Sequence, residues 1–133
     1  MVGIVVVSHS ERAAEGIAEV AAEMAGDTRI EPVGGDGKGG IGTVPDAIED
    51  AIDAAAGEGS DAADADGVVV LVDLGSAVMN ADVAVELSEA EAVIADAPVL
   101  EGAVNAAVAA TDPSATVESV REQAEAARDI EKL

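Results

Sequence analysis

Two uninterrupted aliphatic runs constrain the fold of this chain more than any other feature. Residues 2–7 and Gly67–Val72 consist only of aliphatic residues and glycine. Runs of this kind lack the polar alternation of a half-exposed strand and are typical of strands buried on both faces of a parallel sheet. Parallel strands need long crossover connections, which are usually helices, so the two runs predict an α/β fold.

Weaker patterns predict the remaining elements. Residues 29–33 and 92–95 are predicted as two further short strands, with helices over residues 11–24, after Thr43, from Gly75 to about Ser88, over Val99–Ala110 and after Pro113. Thr43 is expected to cap its helix and Gly26 to end the first one. The chain is therefore expected to be a single domain over residues 1–133: a three-layer open sheet that is mainly parallel.

Apolar spacings of three and four assign an inner face to four of the predicted helices. These faces are Ala13, Ile17, Val20, Ala21 and Met24 in the first helix; Ala47, Ile48, Ala51 and Ile52 in the second; Met79, Val83 and Leu87 in the third; and Val117, Val120, Ala124, Ala127 and Ile130 in the last.

The charge balance restricts the partners that the protein can have. Asp and Glu number 28 against 6 Lys and Arg, which gives a formal net charge of -22. Such a surface disfavours nucleic acid and anionic membranes as partners, because both attract cationic proteins. The acids are spread between ordered apolar runs, a pattern typical of folded proteins from a high-salt cytoplasm, where salt screens the repulsion.

Other classes are limited by what the sequence lacks. It has no cysteine, which removes disulfides and thiolate chemistry, and no aromatic residue, so the core must be aliphatic. No apolar stretch approaches the ~20 residues of a membrane span, and no basic segment typical of a signal peptide precedes the first strand. A cytoplasmic protein is expected.

Polar residues follow three of the predicted strands, at the sheet edge where α/β proteins bind ligands. The three segments carry Ser8, His9 and Ser10; the glycine-rich residues 34–42; and Asp73, Gly75 and Ser76. His9, the only histidine of the chain, is therefore expected beside a carboxylate, hydroxyl groups and main-chain N–H groups.

This arrangement predicts a histidine that carries a phosphoryl group. A neutral imidazole is nucleophilic at neutral pH, and a carboxylate such as Asp73 can hold its second ring nitrogen. His9 precedes a helix N-terminus, which favours anions. Ser10 and Ser76 are expected to donate hydrogen bonds to the phosphoryl group. No metal or other cofactor is expected.

Three competing interpretations of these segments are weaker. Gly37, Gly39 and Gly42 have the spacing of a dinucleotide-binding motif, but they follow the second strand and not the first. A phosphoaspartate receiver needs an acidic pair after its first strand, where this chain has Ser8-His9-Ser10. A serine hydrolase would show G-x-S-x-G, which does not occur.

Four sequence blocks carry a resemblance to a known family. They are VSHSERAAEG at residues 7–16, GGIGT at 39–43, VLVDLGSAVMNAD at 70–82 and APVLEGAVNAA at 97–107. These blocks resemble the phosphotransferase (DhaM) subunits of dihydroxyacetone kinase, which have the mannose-type enzyme IIA fold of the bacterial phosphotransferase system. By this resemblance His9 matches the phosphorylated histidine and Asp73 its carboxylate, while the phosphate-binding residues are Ser10, Gly40, Gly42, Thr43, Gly75 and Ser76.

The resemblance also implies partners. The donor would be the phosphocarrier HPr, and the acceptor would be ADP held on the subunit DhaL, which serves the dihydroxyacetone-binding subunit DhaK. A homodimer is expected, since the mannose-type fold is commonly dimeric. Two alternatives remain: a mannose-type enzyme IIA for sugar uptake, and a signalling module that responds to its own phosphorylation.

Overall fold

The computed structural model describes residues 1–58 and 65–133, and in this part the chain forms one parallel sheet between two layers of helices. The strands are β1 (Val2–Ser8), β2 (Ile30–Gly34), β3 (Gly67–Val72) and β4 (Ala92–Ile94), in the order β2-β1-β3-β4. Every strand pair is parallel. The predicted α/β fold is confirmed, although most of the polar loop expected before β3 lies outside the described residues.

Five α-helices connect and cover the strands in the described part. They are α1 (Glu11–Ala22), α2 (Pro45–Ala55), α3 (Val78–Leu87), α4 (Val99–Ala110) and α5 (Val117–Glu125), with short 3-10 turns at Gly75–Ala77 and Ala126–Asp129. None of the helices within these residues is both long enough and apolar enough to cross a membrane.

The two helix layers enclose two separate aliphatic clusters. Alternate residues of β1 point to opposite faces, so Ile4 and Val6 pack with α1, α4 and α5, whereas Val5 and Val7 pack with α2 and α3. All residues of β1 are buried, and its valines and Ile4 are completely so. The double-sided burial explains why β1 shows no polar alternation.

The predicted inner faces of α1 and α3 are largely wrong. In α1 the buried residues are Ala14, Ala18 and Ala21, while Val20 and Met24 are about half exposed. In α3 the buried residues are Ala81 and Ala84. Alanine allows a helix to lie close to the sheet, and the larger side chains then point away. The three residues predicted to face the core from α3 are all exposed: Met79, Val83 and Leu87.

Two helix starts and two ends also differ from the prediction. α1 ends at Ala22 with Glu23 as its C-cap, three residues before Gly26. Thr43 does not cap α2; the N-cap position is Val44, which has no side-chain cap. The last helix begins after Thr116, whose side chain accepts a hydrogen bond from the Ser119 N–H. It gives way to a 3-10 turn at Ala126, so Ile130 lies beyond the helix and is exposed.

Candidate active site

His9 directly follows β1 and is anchored to the end of the neighbouring strand β3. The His9 ring Nδ1 lies 2.9 Å from Asp73 Oδ1, and the His9 main-chain N–H donates to Asp73 Oδ2 at 3.0 Å. β1 and β3 are adjacent and in parallel register, and the Asp73 N–H donates to the Val7 carbonyl at 3.0 Å. The sheet therefore fixes the ring against the carboxylate.

The other ring nitrogen of His9 faces a hydroxyl group. Ser76 Oγ lies 2.9 Å from Nε2. The His9 side chain is 20% exposed, so the ring is neither buried in the core nor freely mobile on the surface. His9, Asp73 and Ser76, which the sequence predicted to meet, thus form one chain of contacts through the imidazole.

The environment of Asp73 keeps its carboxyl group ionised. Burial raises the pKa of Asp73, but hydrogen bonds from the His9 N–H, the His9 ring and the Ser8 hydroxyl outweigh burial and hold the pKa below the ordinary 3.8. An ionised carboxylate can only accept hydrogen bonds, so the proton between Asp73 and the ring belongs to Nδ1. In a neutral ring the lone pair is then on Nε2, where the Ser76 hydroxyl can donate to it.

Ser8 is a site residue for which the sequence predicted no separate role. Its hydroxyl donates to Asp73 Oδ2 at 2.9 Å and accepts from the Ser10 N–H at 3.1 Å. It is 1% exposed, the only fully buried polar side chain in the described part of the chain. A single serine at the end of an otherwise aliphatic run was the available signal, because a buried hydroxyl needs partners.

Ser10 is the N-cap residue of α1. Its side chain caps α1 by accepting from the Ala13 N–H at 3.2 Å. α1 therefore begins two residues after His9, and the positive end of the helix follows the histidine directly in the chain.

The glycine-rich segment after β2 is closed by Asp36. Its carboxylate accepts from the Gly40 N–H at 2.9 Å and from the Lys38 N–H at 2.7 Å, and these two bonds lower the pKa of Asp36. The Gly42 N–H donates to the His9 carbonyl at 2.9 Å. The Gly40 N–H therefore closes the loop on itself, and the Gly42 N–H holds the loop against His9. Either N–H group would have to exchange its acceptor to reach a phosphoryl group.

Thr43 is bound to α3 and not to α2. Asn80 donates from Nδ2 to Thr43 Oγ1 at 2.8 Å, a contact that the sequence did not predict. Asn80 lies on α3, one turn after Ser76, which belongs to the 3-10 turn that leads into this helix. The bond therefore ties the end of the glycine-rich segment to α3. Gly75 begins the 3-10 turn that contains Ser76. The N–H groups in the first turn of a helix lack acceptors within that helix.

These contacts define a site with a nucleophile and groups that fit an anion. Between α1 and the glycine-rich segment lies a cavity of about 450 Å³, whose lining combines glycine main chain and Ser10 with one cation and two carboxylates, Arg12, Glu11 and Glu15. On the other side of Asp73 lies a second, of about 510 Å³, lined in part by Leu74, Asp82 and Asp96. Among the described residues, no three acidic or histidine side chains come close enough to share a metal ion.

The chain belongs to the EIIA-man family. Residues 3–121 match this family, which is described as "PTS system fructose IIA component". A solved structure of the same fold is the crystal structure of EF1359, a protein of unknown function. It has a TM-score of 0.77 and 29% identity, and the match covers 94% of this chain and 93% of that one.

Within the family, the chain is similar to DhaM subunits. It is 40% identical to the phosphoryl donor subunit DhaM of the PEP-dependent dihydroxyacetone kinase 1 of Listeria innocua, over 76% of this chain and 75% of the relative. It is 37% identical to the phosphotransferase subunit DhaM of Lactococcus lactis, over 92% and 93%. The match to DhaM of Escherichia coli is 36% identical and covers 83% of this chain but 24% of that longer protein.

Proposed function

We propose that His9 accepts a phosphoryl group on Nε2 and passes it on, as the phosphotransferase subunit of a dihydroxyacetone kinase. The observation that carries the proposal is the orientation of the ring: Nδ1 is held by Asp73, and Nε2 faces the exposed Ser76 hydroxyl. A carboxylate behind one ring nitrogen and an accessible lone pair on the other is the arrangement of an activated nucleophile.

The transfer step follows from this orientation. Nε2 attacks the phosphorus of the donor; the bond between phosphorus and the donor nitrogen breaks, and its electron pair stays on the donor. The Nδ1 proton remains in place, so the phosphorylated ring carries positive charge, which the adjacent Asp73 carboxylate stabilises. The Ser76 hydroxyl then turns its hydrogen from Nε2 to a phosphoryl oxygen.

We further propose that the remaining predicted residues surround the phosphoryl group. Ser10 is the N-cap of α1 and directly follows His9, and Gly75 begins the turn that contains Ser76. Gly40, Gly42 and Thr43 shape the wall formed by the glycine-rich segment. We propose that Ser10 and Gly75 contact the phosphoryl oxygens. The wall formed by the glycine-rich segment would exclude water from the transfer.

The donor, acceptor and setting that we propose are those implied by the resemblance to the dihydroxyacetone kinase family. Those relatives are named phosphoryl donor or phosphotransferase subunits of PEP- or PTS-dependent dihydroxyacetone kinases. We propose that HPr phosphorylates His9, that ADP on a DhaL subunit receives the group, and that a DhaK subunit presents dihydroxyacetone. The system would act in the cytoplasm as a phosphoenolpyruvate–glycerone phosphotransferase, with this chain as a homodimer.

Mass spectrometry tests the proposal. The protein is incubated with enzyme I, HPr and phosphoenolpyruvate, and the expected result is one added phosphoryl group, mapped to His9. The group should be absent in His9→Ala, which should keep the wild-type circular dichroism because the ring lies outside the core. Adding DhaL with ADP should remove it. Phosphorylation of His9→Ala would refute the proposal; a labelled protein that never discharges to DhaL would refute the dihydroxyacetone kinase role alone.

A further inference from the structure

Asn80 binds both the side chain and the main chain of Thr43, at the end of the glycine-rich segment. Its Nδ2 donates to Thr43 Oγ1 at 2.8 Å and to the Thr43 carbonyl oxygen at 3.3 Å. A carbonyl oxygen can only accept a hydrogen bond, so the NH₂ group of the amide must point toward Thr43. Asn80 is half-buried and lies on α3, which buried alanines fix against the sheet.

The glycine-rich segment depends on bonds of this kind for its position. Asp36 closes the segment on itself by accepting two of its own N–H groups, which does not attach it to the rest of the molecule. A Cβ built at Gly37 or Gly39 would meet no atom within 4 Å, so there is free space beside the tip of the segment. Hydrogen bonds to the site lie at its far end, at Gly42 and Thr43.

These bonds form a closed circuit that passes through His9. The Ser76 hydroxyl lies 2.9 Å from Nε2, and Asn80, one turn further on, binds Thr43. The neighbouring Gly42 N–H donates to the His9 carbonyl at 2.9 Å. Because α3 is fixed to the core, the bond at Asn80 sets the distance between the glycine-rich segment and the turn that carries Ser76. Without it, the segment would be held to the site by its bond to the His9 carbonyl.

We infer that Asn80 is a positioning residue that keeps the glycine-rich segment closed beside His9 and thereby protects the phosphoryl group from water. The inference rests on the proposed function, because it assigns what sets the lifetime of the phosphorylated ring. In the loss that Asn80 prevents, a water oxygen attacks phosphorus and the bond between phosphorus and Nε2 breaks. The electron pair of that bond returns to the ring, inorganic phosphate leaves, and the protons of the water pass to the phosphate and the solvent.

The experiment measures the lifetime of the phosphoryl group in the absence of an acceptor. The protein is phosphorylated with enzyme I, HPr and phosphoenolpyruvate, separated from them, and followed by intact mass at neutral pH. The variants are Asn80→Ala, Thr43→Val and the double variant. The control is Asn105→Ala, because Asn105 is also half-buried and donates from Nδ2 to a main-chain carbonyl, that of Gln123 at 3.0 Å. That bond joins α4 to α5, on the opposite face of the sheet from α3.

We expect Asn80→Ala to lose the phosphoryl group about threefold to tenfold faster than the wild type, the effect of one lost hydrogen bond. Thr43→Val should have a smaller effect, since the Thr43 carbonyl remains. The double variant should behave like Asn80→Ala, because both substitutions act through the same contact. Asn105→Ala should match the wild type, with all variants compared at a salt concentration at which circular dichroism shows them folded. Equal lifetimes in Asn80→Ala and Asn105→Ala would overturn the inference.

A second measurement needs no phosphoryl group. His9 is the only histidine of the chain, so the ultraviolet absorbance of histidine modified by diethyl pyrocarbonate reports this ring alone. Modification should accelerate in Asn80→Ala by the same factor as hydrolysis, since both depend on how often the segment opens. Faster hydrolysis with unchanged modification would also overturn the inference. If the wild type is not phosphorylated on His9, the proposed function is refuted and the protective role with it; equal lifetimes in phosphorylated wild type and Asn80→Ala refute the inference alone.

Discussion

At the scale of single residues, the imidazole of His9 is held from both sides by groups with different chemistry. A carboxylate fixes Nδ1 and a hydroxyl group approaches Nε2. The Asp73 carboxylate also accepts from the His9 main-chain N–H, so ring and main chain are tied to one group. Rotation of the ring would break a charge-assisted hydrogen bond, which makes the exposed nitrogen a fixed target.

Asp73→Asn should slow phosphoryl transfer without preventing it. The amide is nearly the same size but has no charge, so the positive ring formed on phosphorylation loses its stabilising partner. We expect the single-turnover rate of transfer from phosphorylated HPr to fall on the order of 100-fold. Asp96→Asn is the control, because Asp96 is an exposed aspartate of the neighbouring cavity. A wild-type rate in Asp73→Asn would remove the carboxylate from the mechanism.

The same carboxylate should contribute to stability in a defined pH range. Its pKa is lower in the folded protein than the ordinary 3.8, so the unfolded chain binds the proton more tightly. The stabilisation is therefore complete above the unfolded pKa and is lost as the pH falls through the folded pKa. Urea titrations from pH 6 down to about pH 2.5 should show a smaller loss of stability in Asp73→Asn than in the wild type. Parallel curves would contradict this reasoning.

Ser8→Ala should destabilise the protein although it removes only one oxygen atom. The buried hydroxyl donates to Asp73 and accepts from the Ser10 N–H, and both partners would lose a bond. Leaving buried polar groups unsatisfied costs about 1–3 kcal/mol of unfolding free energy. The matched control is Ser114→Ala, because Ser114 also donates to an aspartate, Asp112, but is exposed. Equal losses in the two variants would show that the Ser8 network adds no stability.

At the scale of the elements, the sequence predicted the sheet better than the faces of the helices. Strands β1 and β3 could be found because burial on both faces leaves an unmistakable aliphatic run. The inner faces of α1 and α3 could not, because alanine and larger apolar residues occupy competing stripes of the same helix. The structure buries the alanines, since their small size permits close approach, and spacing alone does not encode that choice.

The site was predictable to the same degree as the strands that carry it. Ser8-His9-Ser10 and Asp73 follow the two clearest strands, so their meeting follows from the parallel topology. The bond between Asn80 and Thr43 depends on how far α3 lies from the glycine-rich segment. Nothing in the spacing of residues along the chain specifies that distance.

Gly34→Ala should disturb the site from the end of β2. Gly34 pairs with Ser8 in the parallel ladder, and a Cβ there would lie 2.5 Å from the Ser8 carbonyl oxygen and 2.8 Å from that of Ser10. The main chain on both sides of His9 would have to move, which costs about 1–3 kcal/mol and misplaces the ring. Thermal unfolding and the transfer rate from phosphorylated HPr should both decline.

Gly16→Ala provides the control for this substitution. Gly16 lies inside α1, and no atom comes within 4 Å of a Cβ built there. Alanine is the better helix former, so this variant should gain about 0.5–1 kcal/mol of stability and keep the wild-type transfer rate. If Gly34→Ala were as active and stable as Gly16→Ala, the close approach at β2 would have no functional importance.

At the scale of the whole molecule, the acidic surface is only slightly neutralised by the few cations. Arg121, Arg128 and Lys132 pair with carboxylates, and all three lie near the C-terminal end. Like charges also lie close together, as at Glu19 on α1 and Glu23, the C-cap of the same helix, one turn apart. The aliphatic core, which contains no aromatic residue, must therefore hold together a shell that repels itself.

This balance predicts that folding requires concentrated salt. The Debye length falls from about 10 Å at 0.1 M to about 3 Å at 1 M, so molar KCl screens most of the repulsion between surface carboxylates. Circular dichroism should show the helical signal declining below roughly 1 M KCl, and sucrose should restore less of it than KCl because it screens no charge. Glu23→Lys should shift the transition to lower KCl, since it removes a like-charge pair with Glu19 and places a cation at the C-cap of α1. A helical signal that is constant from low to molar KCl, in both the wild type and Glu23→Lys, would show that the aliphatic core alone outweighs the repulsion.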